Sequence, residues 1–358
     1  MTTCKDCDQA IKRRGLFCSM APFACESCEA DLCKACFESY PLVLLGDDDT
    51  TSNSSGNDKN RLKKARIQSS CKGCFQRLSV LDFETTYDVV EPSVETSERS
   101  GVTFVFVHGG GGSRAMFRPH ARELTARYGH RCILVDLPGH GSLCDVELSL
   151  DTCWQELTNV LEENKIINEE DGKRTNPEEK VVYVGGSLGA YIGFYLLEEF
   201  KGTFSSAVLM DCGQNVGPGR SLKATIGLHM MSYVASHYSN KKLAKMMLDV
   251  TKKSPADQWV IESTFAAGWF FDRGKEQVSI LRTIAPAKHI PELDIPICFM
   301  NGGLDHRDSE QLWLNLCDTP DEVNSTLKVY SGGDHFFMHD SRFVNDVLKD
   351  MHSFAVSN

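Results

Sequence analysis

Three side chains far apart in the sequence have the types needed to activate a hydroxyl. They are Ser187 within Gly185-Gly186-Ser187-Leu188-Gly189, Asp305 in NGGLDHRDS and His335 in SGGDHFFMHD. A serine hydroxyl is a weak nucleophile until a base takes its proton, and that base needs an acid to hold its tautomer. His335 would take the Ser187 proton and return it to a leaving group, while Asp305 would orient the ring and stabilise the imidazolium. Acyl transfer also creates an oxyanion, and losing one preorganised donor to it typically costs about 10²–10³ in rate. The backbone amide of Leu188, directly after the serine, can donate one such hydrogen bond. The run His108-Gly109-Gly110-Gly111-Gly112 offers a second donor at Gly110, where no side chain bars the backbone from approaching substrate. Asp211, at the end of SAVLMD, is a rival acid, and His306 and His339 are rival bases. Asp308 and Asp334 read as turn residues, His108 as a brace of the glycine loop, and His140 as structural.

The elements around these residues must bring them together. Val181 to Val184 is short, β-branched and apolar on both faces, which predicts a buried parallel strand. From Ala190 to Phe200 the spacing of Tyr191, Phe194, Tyr195 and Leu197 predicts a helix packed on one side. The pentapeptide then forms a tight strand-to-helix turn with Ser187 at its apex. G-x-S-x-G alone also fits a loop that merely ends a strand, so the remaining runs decide. VTFVFVHGGGG (102–112), CILVDLPGHG (132–141), SAVLMDCG (206–213), PICFMNGGLD (296–305) and TLKVYSGGDH (326–335) share one form. Each is an apolar run that ends in Gly, Asp or His, and helical patterns lie between most of them. This alternation predicts an α/β domain with a mostly parallel sheet, in which ligands gather at the carboxyl ends of the strands. Residues 217–291 interrupt it with helical patterns rich in Met, Trp and Phe, which predict a helical cap. Met230, Met231, Trp259, Phe265, Trp269 and Phe270 either line an apolar acyl pocket there or form the core of the cap.

Residues 100–355 resemble the α/β-hydrolase superfamily, in the branch with a mobile helical cap. FVHGGGGSRAMF, CILVDLPGHGSL, VGGSLGAY, NGGLD and GGDHFF carry the resemblance, in that order. It implies the α/β-hydrolase fold, with Ser187 as nucleophile, Asp305 as acid and His335 as base. A serine at the elbow argues against dehalogenase or epoxide-hydrolase chemistry, for which the superfamily uses aspartate. The resulting expectation is a carboxylesterase-like or lipase-like serine hydrolase. It would cleave an ester of hydrophobic or medium-chain acyl type through an acyl-enzyme, with no cofactor for catalysis. The alternative is a non-catalytic adaptor that binds a ligand or protein on a hydrolase fold.

The cysteines define a second region. Nine of the 15 precede residue 75, and eight of these form four Cys-x-x-Cys pairs: Cys4/Cys7, Cys25/Cys28, Cys33/Cys36 and Cys71/Cys74. Dense cysteines in a chain that shows no export signal favour metal over disulfides. Eight thiolates fill two closed tetrahedral zinc sites, so both ions would be structural. CESCEADLCKAC with a distant last pair resembles the cross-brace zinc fingers, notably the FYVE and ZZ groups. The resemblance implies one zinc on Cys4, Cys7, Cys33 and Cys36 and another on Cys25, Cys28, Cys71 and Cys74, with Cys18 spare. The chain lacks the basic motif of phosphoinositide-reading FYVE fingers and the closing histidines of ZZ fingers. The head is therefore expected to serve as a protein-interaction or intramolecular scaffold module, and phosphoinositide membrane binding is not supported. The organisation is a zinc-binding head at 1–78 with a polar insertion at 46–60, then a hydrolase domain at 80–358.

Bulk properties set the outer bounds. With 358 residues, 24% charged and 41% hydrophobic, the chain has the composition of a soluble globular protein. A net charge of −11 argues against nucleic acid as a partner of the whole chain. No run reaches the roughly 20 apolar residues of a membrane span, and MTTCKDCDQAIKRRG has no signal-peptide core. The expected compartment is the cytoplasm, with the nucleus as the alternative.

Overall fold

The computed structural model describes residues 2–3, 10–11, 85–92, 100–238, 242–243, 246–247, 253–254, 270–271, 273–305, 309–317 and 324–358. All nine cysteines of the head, the polar insertion, His306, Asp308, Trp259, Phe265 and Trp269 lie outside the described residues. In the head itself, Thr2–Thr3 pairs antiparallel with Ala10–Ile11.

A seven-stranded sheet organises the remainder. Its strands are β1 (Tyr87–Val90), β2 (Val102–Val107), β3 (Arg131–Val135), β4 (Lys180–Gly186), β5 (Ser206–Met210), β6 (Ile297–Gly302) and β7 (Thr326–Tyr330). They lie in the order β1-β3-β2-β4-β5-β6-β7. Only β1 is antiparallel to its neighbour, pairing Val89 with Ile133. The sequence patterns point to the other six strands and miss β1. That edge strand is four residues long and only partly buried, with Asp88 in its middle, so it lacks an apolar run.

The period of two in the strands divides the core. Val105, Val107, Tyr183, Leu209 and Phe299 face one side of the sheet, where they pack with residues such as Leu157 and Phe194. Phe104, Phe106, Val184, Met210 and Met300 face the other, with residues such as Leu124 and Leu348. The helices that carry these partners are α1 (Arg118–Tyr128), α2 (Leu150–Glu163), α3 (Leu188–Glu199) and, at the chain's end, Val344–Ser357. Each fully buried Phe or Leu contributes about 1.5–3 kcal/mol of transfer free energy. Burial on both faces explains why β2 and β4 read as continuous apolar runs rather than alternating ones.

Between β5 and β6 the described residues form α4 (Leu222–His237), α5 (Gly274–Thr283) and α6 (Pro286–His289). Of the residues assigned from sequence to an acyl pocket, Met230 and Met231 on α4 are 64% and 52% exposed, whereas Phe270 is buried. The two methionines lie on an outward face of α4 that the helical spacing alone could not orient. A short helix, α7 (Ser309–Cys317), lies between β6 and β7, and Val344–Ser357 forms α8. Among the described residues, no helix is long and apolar enough to cross a membrane.

Candidate active site

The turn between β4 and α3 forces Ser187 into an uncommon backbone conformation, φ 48° and ψ −110°. Such a geometry costs on the order of 1–3 kcal/mol unless its surroundings hold it. They do. The Ser187 amide donates to the Met210 carbonyl at 2.8 Å, and the Ser187 carbonyl accepts from the Ala190 and Tyr191 amides at 3.0 Å each. The small flanking residues are required by close approach. A Cβ at Gly189 would stand 2.3 Å from the Val107 carbonyl oxygen, and one at Gly185 would stand 2.7 Å from the Ala190 backbone. The buried Tyr183 hydroxyl donates to the Gly189 carbonyl at 2.7 Å and closes the turn from beneath.

Two loops bring His335 and Asp305 to this apex. His335 follows β7 and Asp305 follows β6, and those strands are adjacent and parallel. The His335 Nε2 lies 3.2 Å from Ser187 Oγ, and Nδ1 lies 2.8 Å from Asp305 Oδ2. In the base-competent tautomer the Ser187 hydroxyl donates to Nε2 while Nδ1–H donates to Asp305. Burial by itself lowers the His335 pKa, but Asp211, Asp305 and Asp334 outweigh it and raise it to about 9. Asp334 also accepts from the Phe336 amide at 2.9 Å, as a turn residue does. His339 is buried elsewhere, with its ring edge-on to His120 at 5.2 Å.

Asp211 is the least expected member of this group. Its side chain is fully buried, its φ is +55°, and its Oδ1 lies 3.9 Å from His335 Nδ1. Among the described residues, neither of its carboxylate oxygens accepts a hydrogen bond. Burial raises its pKa well above the usual carboxylate range, against the opposing pull of His335. The sequence offered Asp211 and Asp305 as alternatives; the fold sets both beside one imidazole, with Asp305 hydrogen-bonded to it.

The glycine loop after β2 passes over the serine. A Cβ at Gly109 would touch Ser187 Cβ at 3.3 Å, and one at Gly110 would lie 3.6 Å from the Leu188 side chain. Neither the Gly110 amide nor the Leu188 amide donates a hydrogen bond among the described residues, so both remain available to an oxyanion. His108 Nδ1–H donates to the Gly109 carbonyl at 2.8 Å, and its Nε2 accepts from the Leu137 amide at 3.0 Å. His140 Nδ1–H donates to the Pro138 carbonyl at 3.0 Å, leaving Nε2 to accept from the Gly111 amide at 3.1 Å. Gln277 on α5 donates to that same nitrogen at 2.9 Å. Burial lowers the pKa of His108 and takes that of His140 down to about 3, so both rings stay neutral.

The sequence pointed to His108 as a brace of this loop, but sequence patterns alone did not reveal the other supports. Gln277 has no motif, and His140 was read as structural without a link to the loop. The buried Arg114 pairs with Asp136 and donates through Nε to Asp88 at 3.0 Å. Its own amide donates to Asp136 Oδ1 at 2.7 Å, so it anchors the exit of the glycine loop to the sheet edge. The Arg in GGSRAMF and the Asp in LVDLPG were visible signals, but nothing in either run says that they meet.

Residues 104–347, more than half of the chain, match the family described as the alpha/beta hydrolase family. No curated protein sequence is detectably similar to the chain. Among solved structures, MenH from S. aureus is similar at a TM-score of 0.58 and 15% identity, over 76% of this chain and 100% of that one. The esterase EaEST from Exiguobacterium antarcticum is similar at 0.56 and 13%, over 75% and 94%. The enol-lactonase from Burkholderia xenovorans LB400 is similar at 0.55 and 13%, over 75% and 95%. At these identities the likeness is one of fold.

Proposed function

From the premise that this chain belongs to the alpha/beta hydrolase family, we propose that it is a serine hydrolase of carboxylic esters, acting through an acyl-enzyme. One observation carries this reading: Ser187, His335 and Asp305 form a continuous hydrogen-bonded chain beside two amides that have no partner among the described residues. As Ser187 Oγ attacks the ester carbonyl, its proton passes to His335 Nε2. Asp305 stabilises the imidazolium through Nδ1–H, and the Gly110 and Leu188 amides stabilise the oxyanion. His335 then protonates the departing alkoxide. In the second half-reaction it deprotonates a water that attacks the acyl-enzyme, and Ser187 is released with its proton restored.

The walls beside the oxyanion amides favour an apolar acyl group. A Cβ at Gly111 would run into the Phe271 ring, the Met116 methyl lies 3.9 Å from the Cβ position of Gly109, and Phe270 is buried beside them. A hydrophobic or medium-chain ester fits such a lining. A fluorophosphonate probe and a series of p-nitrophenyl esters test the activity. Labelling and turnover are expected in the native chain, and Ser187→Ala is expected to lower turnover by about 10⁶-fold. Labelling that persists in Ser187→Ala removes Ser187 as the nucleophile. Saturable ligand binding without turnover of any ester favours an adaptor instead.

For the head, the four Cys-x-x-Cys pairs support two structural zinc ions and a protein partner. Two equivalents of zinc in the purified chain are expected, and a metal-free, folded head would overturn it.

A further inference from the structure

The triad geometry contains one acid more than hydrolysis requires. Asp211 is wholly buried, makes no hydrogen bond through either oxygen among the described residues, and points at the nitrogen that Asp305 already holds. Ligand atoms of Asp211, Asp305 and His335 all lie within 4.8 Å of one another. Resting on the hydrolase reading above, we propose that Asp211, Asp305 and His335 Nδ1 form an inhibitory site for a zinc-class divalent ion.

Distances and donor types both favour it. Ligands about 2.0–2.1 Å from a tetrahedral zinc stand about 3.3–3.4 Å from each other. Here Nδ1 lies 2.8 Å from Asp305 Oδ2 and 3.9 Å from Asp211 Oδ1, so each of these distances must change by about half an ångström, while the two carboxylates start within 4.8 Å of each other. One imidazole with two carboxylates suits zinc, copper or nickel. Magnesium and calcium prefer all-oxygen shells of six or more ligands, so an imidazole nitrogen beside two carboxylates disfavours them. The His335 and Asp305 side chains are 43% and 33% exposed, which gives an ion a path from solvent and a water for its fourth position.

The consequence for catalysis follows from where the protons go. A metal that binds Nδ1 forms three coordinate bonds and releases to water any proton on Asp211 and, from the imidazolium, the Nδ1 proton; from the neutral Nδ1–H tautomer that proton passes through solvent to Nε2 instead. The neutral ring then carries its remaining proton on Nε2, the atom facing Ser187 Oγ at 3.2 Å. That nitrogen becomes a donor and can no longer accept the serine proton. Asp305 loses its hydrogen bond to the ring at the same moment.

The test uses the full chain and compares variants with identical cysteines, because the head also offers thiolates to zinc. Zinc is titrated against ester hydrolysis, with magnesium and calcium as controls and a chelator to reverse the effect. Inhibition by zinc alone is expected, with the half-inhibiting concentration raised by at least about 10- to 100-fold in Asp211→Asn. Asp211→Ser serves if the first variant fails to fold. Calorimetric zinc titration of Ser187→Ala against Ser187→Ala/Asp211→Asn reads the site without activity, and one equivalent fewer is expected in the double variant. Equal stoichiometry in the two chains shows a neutral buried carboxyl only and overturns the proposal. A lost equivalent with no inhibition of an active enzyme overturns the switch. If the native chain hydrolyses no ester, the hydrolase reading fails, while the calorimetric comparison still decides the metal site.

Discussion

Two sets of histidines flank Ser187, and they are set in opposite ways. His108 and His140 lie fully buried under the glycine loop, and burial outweighs what little raises them. His335 sits at the rim among Asp211, Asp305 and Asp334, which overcome burial and hold it at about 9. All three lie just beyond apolar strands and close to glycines, so residue type and position along the chain are nearly the same. What separates a brace from a base is the number of carboxylates within reach. A neutral ring that never titrates is a reliable link between backbone segments, whereas a ring surrounded by acids can carry a proton through a reaction.

Substitution on the two sides should separate these roles. The largest effect is expected from His335→Ala, about 10⁶-fold in kcat, with about 10⁴-fold for Asp305→Asn, measured on any accepted ester. His140→Ala should cost about 10²-fold or less, in kcat more than in KM, because it frees the Gly111 amide without touching the reacting atoms. His140→Gln, which keeps an acceptor for that amide, should recover part of the loss. Equal losses at His140 and His335 would erase the distinction. The smallest effect is a displacement of the pH profile. The acid limb of kcat/KM reports the free enzyme's base, so activity should rise with pH towards about 9. Asp211→Asn removes a charge that favours the imidazolium, and the limb should move to lower pH. His140→Ala should leave the limb in place, since its ring is neutral throughout.

Much of this arrangement was legible because strand ends announce themselves. Ser187, Asp305 and His335 each close an apolar run, and a parallel sheet gathers such ends along one rim. The pattern could not choose between Asp211 and Asp305, since each ends a strand in the same style and the strands that carry them are neighbours. Nor could it show that both would reach the ring. His140 and Gln277 were illegible for another reason: their partners are backbone amides and each other, across 137 residues. Such contacts leave no periodicity to read. On α4, helical spacing placed Met230 and Met231 correctly on a helix but not on its inward face.

The Phe270 amide donates to the Gly111 carbonyl at 2.9 Å, and Gln277, one turn into α5, reaches His140 beneath the same loop. The peptide group whose neighbour must receive negative charge is thus clasped from the side along which an acyl chain would lie. A chain too bulky for that side displaces Phe270 and slackens the Gly111 peptide with it. Oversized esters would then be held almost as firmly as good ones and turned over far more slowly, so acyl length would be discriminated in the chemical step rather than at the door.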